Sequence, residues 1–161
     1  AMQRQAGGMA PMELGNALYG LVTQMGLSYS AMPAALRDSV FAALLDQCER
    51  FDRPALTAVL QSLAKEVRGR PQWQWARLPL LLRARILGAS LRLLPCEEGP
   101  GPQKEGPGLL RCKFLGDLLQ GLGRLRTRWP SDLAGPAQEA FLEQLRGLEK
   151  ELEGPGEEDR G

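Results

Sequence analysis

The sequence predicts an all-α chain of helix-turn-helix repeats, about six helices stacked as a short α-solenoid or helical bundle. Two observations carry this. Leu, Ala, Arg and Glu are abundant while Val, Ile and Thr are scarce, a balance that favours helix over strand. The apolar pattern of LGNALYGLVTQMG, residues 14–26, also recurs as LTAVLQSLAKEVR from Leu56 and as LGDLLQGLGRLRT from Leu115, each time with apolar positions three and four apart. With 161 residues and 43% hydrophobic content, the chain has the length of one domain and the means to bury a core.

Residues 1–10 read as a flexible, Gly-rich lead-in. The first helix starts at Pro11, because proline suits a first helical turn, and runs to Met25 with Leu14, Leu18, Leu21 and Val22 on its apolar face; Gly26 stops it. A second helix from about Pro33 carries Leu36, Val40, Leu44 and Leu45 toward Cys48 and closes a hairpin. Asp52 suits the N-cap of the third helix, with Pro54 just inside and Leu56, Val59, Leu60 and Leu63 apolar. After RGRPQWQW, residues 68–75, the fourth helix begins near Pro79 and continues to Leu94, so apolar around most of its circumference that it calls for neighbours on two sides.

The copies align. Leu14, Ala17, Leu18 and Leu21 match Leu56, Val59, Leu60 and Leu63 at a shift of 42, and the same shift takes Leu36, Val40 and Leu44 to Leu78, Leu82 and Ile86. The third copy lies 59 residues beyond the second, and the excess of 17 equals the length of PCEEGPGPQKEGPGLLR, residues 95–111, whose Gly, Pro and charge mark a disordered inserted loop. The chain thus divides into hairpins one and two (11–94), the loop (95–111), a third hairpin (112–153) and a disordered acidic tail (154–161). Leu36, Val40, Leu60, Leu63, Leu82 and Ile86 are the candidate core.

A first helix of the form LxxALxxLxxxMG followed by a second with LxxxVxxxL resembles the helical-hairpin repeats of the octotricopeptide and heptatricopeptide families, which include FAST-kinase-like mitochondrial proteins. The likeness covers residues 12–94 and returns over 114–148. It implies an α-solenoid that binds single-stranded RNA on a surface lined by successive helices, as organellar RNA-processing factors do. The register sets Asn16, Ala58 and Asp117 at one repeated position, and they share no polar side chain that could read bases.

Histidine is absent, which removes Ser/His/Asp and Cys/His catalysis and the commonest metal ligand. Cys48, Cys96 and Cys112 form neither a CxxC pair nor a complete disulfide framework, which points to an intracellular, reducing compartment: the cytoplasm or nucleus ahead of the mitochondrion. No phosphate-cradling glycine motif occurs, and no apolar run is long enough to span a membrane. The expectation is a protein that is not an enzyme and holds no cofactor or metal.

Charge is distributed unevenly: residues 1–64 carry −1, residues 65–128 carry +8 and residues 129–161 carry −6. Between Glu66 and Glu97 there is no acid, and Arg68, Arg70, Arg77, Arg83, Arg85 and Arg92 alternate with Trp73 and Trp75. On one continuous helix Arg77, Arg85 and Arg92 would fall within about 80° of one another. Trp73, Trp75, Arg77, Arg85 and Arg92 are therefore the candidate binding residues, extended by Arg124, Arg126, Arg128 and Trp129 of the third unit. They suit a protein partner, a helix or acidic peptide held in a groove between hairpins, with single-stranded RNA as the alternative. A homodimer through the helix of residues 78–94 is a further reading, as is an acidic tail (Glu149 to Asp159) folded over the basic groove.

Overall fold

The computed structural model describes residues 8–94, 107–128 and 135–153. Among the described residues the chain is all-α, with six α-helices and a single two-stranded sheet.

Helix α1, Pro11–Tyr19, begins where Ala10 turns extended and donates its N–H to the Glu13 carboxylate at 2.8 Å. Gly20–Gln24 continues it as one π turn, in which the Met25 N–H reaches back to the Gly20 carbonyl, and Gly26 (φ 66°) ends it. The π turn has a steric purpose. The steps Leu14 to Leu18 and Leu18 to Val22 would each overshoot an α-turn by about 40°, and a wider turn takes back that drift, so all three stay buried. Helix α2 is Ala34–Gln47 and closes in a 3-10 turn, Cys48–Arg50. Helix α3, Arg53–Leu63, is capped as the sequence implies: the Asp52 carboxylate accepts the Ala55 N–H at 2.9 Å.

Between α3 and helix α4, Leu80–Leu93, lies an element that the helical pattern did not disclose. Strand β1, Glu66–Val67, pairs antiparallel with strand β2, Arg70–Pro71, across Arg68 and Gly69, both at positive φ (52° and 71°) as a tight two-residue hairpin requires. A 3-10 turn at Trp75–Arg77 follows, and α4 starts behind Pro79. Helix α5 is Pro107–Arg124 and helix α6 is Pro136–Glu153. Residues 107–111, assigned to the inserted loop from composition, are therefore the first turns of α5. Residues 95–106, the first seven residues of the lead-in and the acidic tail lie outside the described residues.

Consecutive helices pair, α1 with α2, α3 with α4 and α5 with α6. In addition α3 packs between α1 and α5, and α4 touches both α2 and α6, so odd helices form one row and even helices another. Two glycines set the spacing of the odd row. A Cβ on Gly15 would sit 3.1 Å from the Ala58 Cβ, and one on Gly121 would sit 3.2 Å from the Leu60 Cβ, so α3 is approached closely on both flanks. Ala55, Leu56, Val59, Leu60 and Leu63 of α3 are all buried. Of the expected core, Val40, Leu60, Leu63, Leu82 and Ile86 are buried and Leu36 is half-buried.

The structure moves one register. The even helices α2 and α4 begin 46 residues apart, each behind a proline in the same extended conformation (Pro33 and Pro79, ψ 139° and 143°), whereas the sequence aligned them at 42. The difference is about one helical turn, which an apolar i, i+4 pattern tolerates in either frame. No helix among the described residues is long and apolar enough to cross a membrane.

Two stability outcomes follow. Leu60→Ala should cost about 2–5 kcal/mol in urea unfolding, as removal of a fully buried leucine does. Gly15→Val should cost about 1–3 kcal/mol by overpacking against Ala58, and Ala58→Gly introduced with it should recover part of the loss.

Candidate functional site

Trp73 and Trp75, read from sequence as anchors for a partner, are 0% and 1% exposed. Their placement turns them inward. Trp73 donates its indole N–H to the Leu27 carbonyl at 3.3 Å and meets Tyr29 and Phe41 edge to face, with ring centroids 5.4 and 6.0 Å away. The Trp75 backbone N–H donates to the Leu125 carbonyl at 2.8 Å, and the Tyr29 N–H donates to the Gln72 carbonyl at 3.0 Å. The turns after α1, α3 and α5 are thereby stitched to one another at one end of the molecule.

The arginine stripe divides. Because α4 starts at Leu80, Arg77 lies before the helix, and its guanidinium carbon stands 5.2 Å from the centre of the Tyr29 ring. Arg85 forms an ion pair with Glu49. Arg92 donates to the carbonyls of Phe51 (2.9 Å) and Cys48 (3.4 Å), satisfying acceptors that the end of α2 leaves open. In the other direction, the Arg53 Nε donates to the Leu93 carbonyl at the end of α4, at 2.9 Å. Arg53 and Arg92 thus act as reciprocal clamps between the first two hairpins. Beside them a depression of about 480 Å³ opens between α2 and α4, lined by Cys48, Glu49, Ala84, Arg85, Gly88, Ala89 and Arg92. A second, of about 510 Å³, crosses the odd row over Met12, Pro54, Ala58 and Phe114.

Basic side chains with a different character gather at the stitched end. Arg68 in the tip of the β-hairpin and Arg70 beside it are exposed, as are Arg77, Arg124 and Arg128. Arg126 adopts φ 59° at the end of α5, where the Thr127 N–H and hydroxyl both donate to the Leu122 carbonyl, and it reaches the Glu66 carboxylate at 3.5 Å. Arg37 adds its charge from the first turn of α2, half-buried; its Nη1 donates to the Tyr29 carbonyl at 2.9 Å and its guanidinium carbon stands 4.2 Å from the Tyr29 ring centre. Glu66, Asp38 and, in the first turn of α6, Glu139 are carboxylates among the described residues of this end, and neither α2 nor α4 carries an acid in its first turn. The positive ends of those helices reinforce the potential. Trp129 lies outside the described residues.

Compared with known proteins, the chain matches no family model, no curated protein and no solved structure. What it can do is therefore argued from this geometry. Among the described residues no three Cys, Asp or Glu side chains gather so as to hold a metal ion. Two members of the basic end, Tyr29 and Arg37, were not singled out from sequence. The available signal was a basic residue in the first turn of a helix, where it opposes the helix dipole.

Cys48 is buried under α4, and burial pushes its thiol up from 9.0 to about 11, against smaller opposing pulls from Arg85 and Arg92. A group raised in the folded state favours folding below its unfolded value, and that contribution fades as pH rises through the folded one. Wild-type stability should accordingly fall between pH 9.0 and about 11 relative to Cys48→Ala, read by urea unfolding across that range. Alkylation of Cys48 at neutral pH should be slow until the chain is unfolded, as peptide mapping would record.

Proposed function

We propose that this chain is a stack of three helical hairpins, a short α-solenoid, that works by binding and not by catalysis, and that its partner is a protein segment rich in acidic side chains. The gathering of Arg68, Arg70, Arg77, Arg124 and Arg128 on one end by the backbone bonds between the turns is the observation that carries this reading. Guanidinium forks pair bidentately with carboxylates, and a surface this short of its own acids is complementary to an acidic one. Leu80 and Leu81, 75% and 58% exposed on the first turn of α4, adjoin Arg77 and offer apolar contact beside the charge. The segment that fits is thus acidic with leucine-like side chains interspersed.

Burial of both tryptophans weighs against single-stranded RNA, the alternative that the repeat resemblance implies. Recognition of single strands draws on exposed rings that stack with bases, and at this end Trp73 and Trp75 are enclosed while Tyr29 is occupied by two arginines. The groove between hairpins named from sequence is a poorer site, since Arg85 and Arg92 there are already engaged with Glu49 and with backbone carbonyls.

The reading is tested with a Glu-rich peptide carrying interspersed leucines, titrated by fluorescence anisotropy over a salt series beside a single-stranded RNA of equal charge. Combined Arg68→Ala, Arg70→Ala, Arg124→Ala and Arg128→Ala should weaken the peptide by about tenfold or more, and salt should weaken the wild type likewise. Leu80→Ser with Leu81→Ser should weaken it without changing the salt slope. Preference for RNA, or peptide binding indifferent to the arginines, would reject it.

A further inference from the structure

We propose that the free end of the helix stack, the flank of α5 and α6 turned away from α3 and α4, is a docking surface for a second copy of this chain. The contact is separate from the turn end and does not rest on the acidic-segment reading.

Inside the stack, odd helices approach one another closely at glycines. Gly15 of α1 meets Ala58 of α3, and Gly121 of α5 meets Leu60 of the same helix. A helix turns by about 100° per residue, so Gly116, Leu119 and Gly123 lie about 140° to 160° round α5 from Gly121, on the flank turned away from α3. A Cβ added to Gly116 or Gly123 would meet nothing within 4 Å among the described residues. Leu119 between them is 36% exposed, whereas its counterparts in the repeat register, Leu18 and Leu60, are each 1% exposed. Glycine within a helix lowers its stability relative to alanine, and close approach of another backbone offsets that loss. The third unit thus continues the glycine-lined interface of the interior and leaves it uncovered. The other end of the stack differs: the flank of α1 turned away from α3 carries Glu13, Ala17 and Gln24, two exposed polar side chains and a small one.

What fits the notch stands on the same face. On α6, Phe141 is buried, and Leu145 and Leu142 stand about 40° and 100° round from it toward the free end, the first 40% exposed and the second half-buried. Helix α5 supplies glycines and α6 supplies leucines, so the face complements itself. With α5 of each copy against α6 of the other, the leucines of one copy enter beside the glycines of its partner. Charge selects this pairing. Helix α5 carries Arg111, Lys113 and Arg124 against Asp117, net +2, whereas α6 carries five Glu against Arg146 and Lys150, net −3. Setting α5 on α6 attracts, and setting either helix on its own copy repels. Such a contact is isologous and closes at two copies. A head-to-tail stack would instead set α6 on α2, where Asp38 and Asp46 outnumber Arg37. The two-fold axis of the favoured arrangement runs along the helices, so both basic turn ends lie at one end of the dimer.

Sedimentation velocity on the full chain should show the mass double as concentration rises through the micromolar range, with no larger species. Leu119→Ser with Leu145→Ser should weaken association by about tenfold or more, because the apolar centre of an interface carries most of its energy, and melting should confirm a folded chain. Gly116→Gln with Gly123→Gln separates docking from stability. The new side chains enter open space and are better helix formers than glycine, so the diluted chain should melt higher than wild type while the dimer is lost. A chain that stays monomeric at every concentration overturns the proposal, as does growth beyond two copies or association that survives both pairs of substitutions. Failure of the Glu-rich peptide to bind overturns the acidic-segment reading alone.

Discussion

A single indole holds the turn end together. Trp73 sits between the first and second hairpins, its N–H on the Leu27 carbonyl and its ring edge-on to Tyr29 and Phe41. Helices touching only along their sides could slide or splay at the tips. The indole fixes the tips, and from it the backbone bonds of Tyr29 to Gln72 and Trp75 to Leu125 extend the same constraint toward the third hairpin. A large aromatic with one polar atom suits this position: it fills the space between loops and still satisfies its N–H. The placement of Arg37 and Arg77 over Tyr29 depends on that ring being held still.

The arginines of the middle third do two unlike things. Near the far ends of α2 and α4, helix termini leave carbonyls without partners, and Arg53 and Arg92 cross between hairpins to satisfy them. Their charge is absorbed by the fold. At the turn end, the β-hairpin and the end of α5 project arginines outward, with Glu66 engaged by Arg126. Net positive charge in the sequence is thus a poor measure of what a partner would meet, since position relative to helix ends decides which charges stay available.

Much of the fold was legible. Asp52 as a cap, Gly26 as a stop, Pro79 as a start and the buried Leu60, Leu63, Leu82 and Ile86 follow from local rules that involve only a few neighbouring residues. The site was less so. Alternation of arginine and tryptophan in RGRPQWQW looks alike whether the rings point out or in, and what turned them in was contact with Leu27, Tyr29, Phe41 and Leu125, distant along the chain. The hairpin at Glu66–Pro71 escaped because strands of two residues leave no alternation to detect. The 42-residue shift read from the sequence differs by about one turn from the 46 residues between the starts of α2 and α4, because leucines four apart read the same in both frames.

The π turn at Gly20–Gln24 holds one residue more than an α-helix needs to bring Val22 under the same neighbours as Leu14 and Leu18. In helical terms it is one residue in surplus. A chain shortened by one residue between Leu18 and Val22 would place them three apart, so that Leu14, Leu18 and the displaced valine follow the ordinary i, i+4, i+7 stripe of a continuous helix. The first hairpin therefore contains a point at which the length of the chain can change by one while its buried face keeps its alignment, which separates the spacing of the helices from the exact count of residues that builds them.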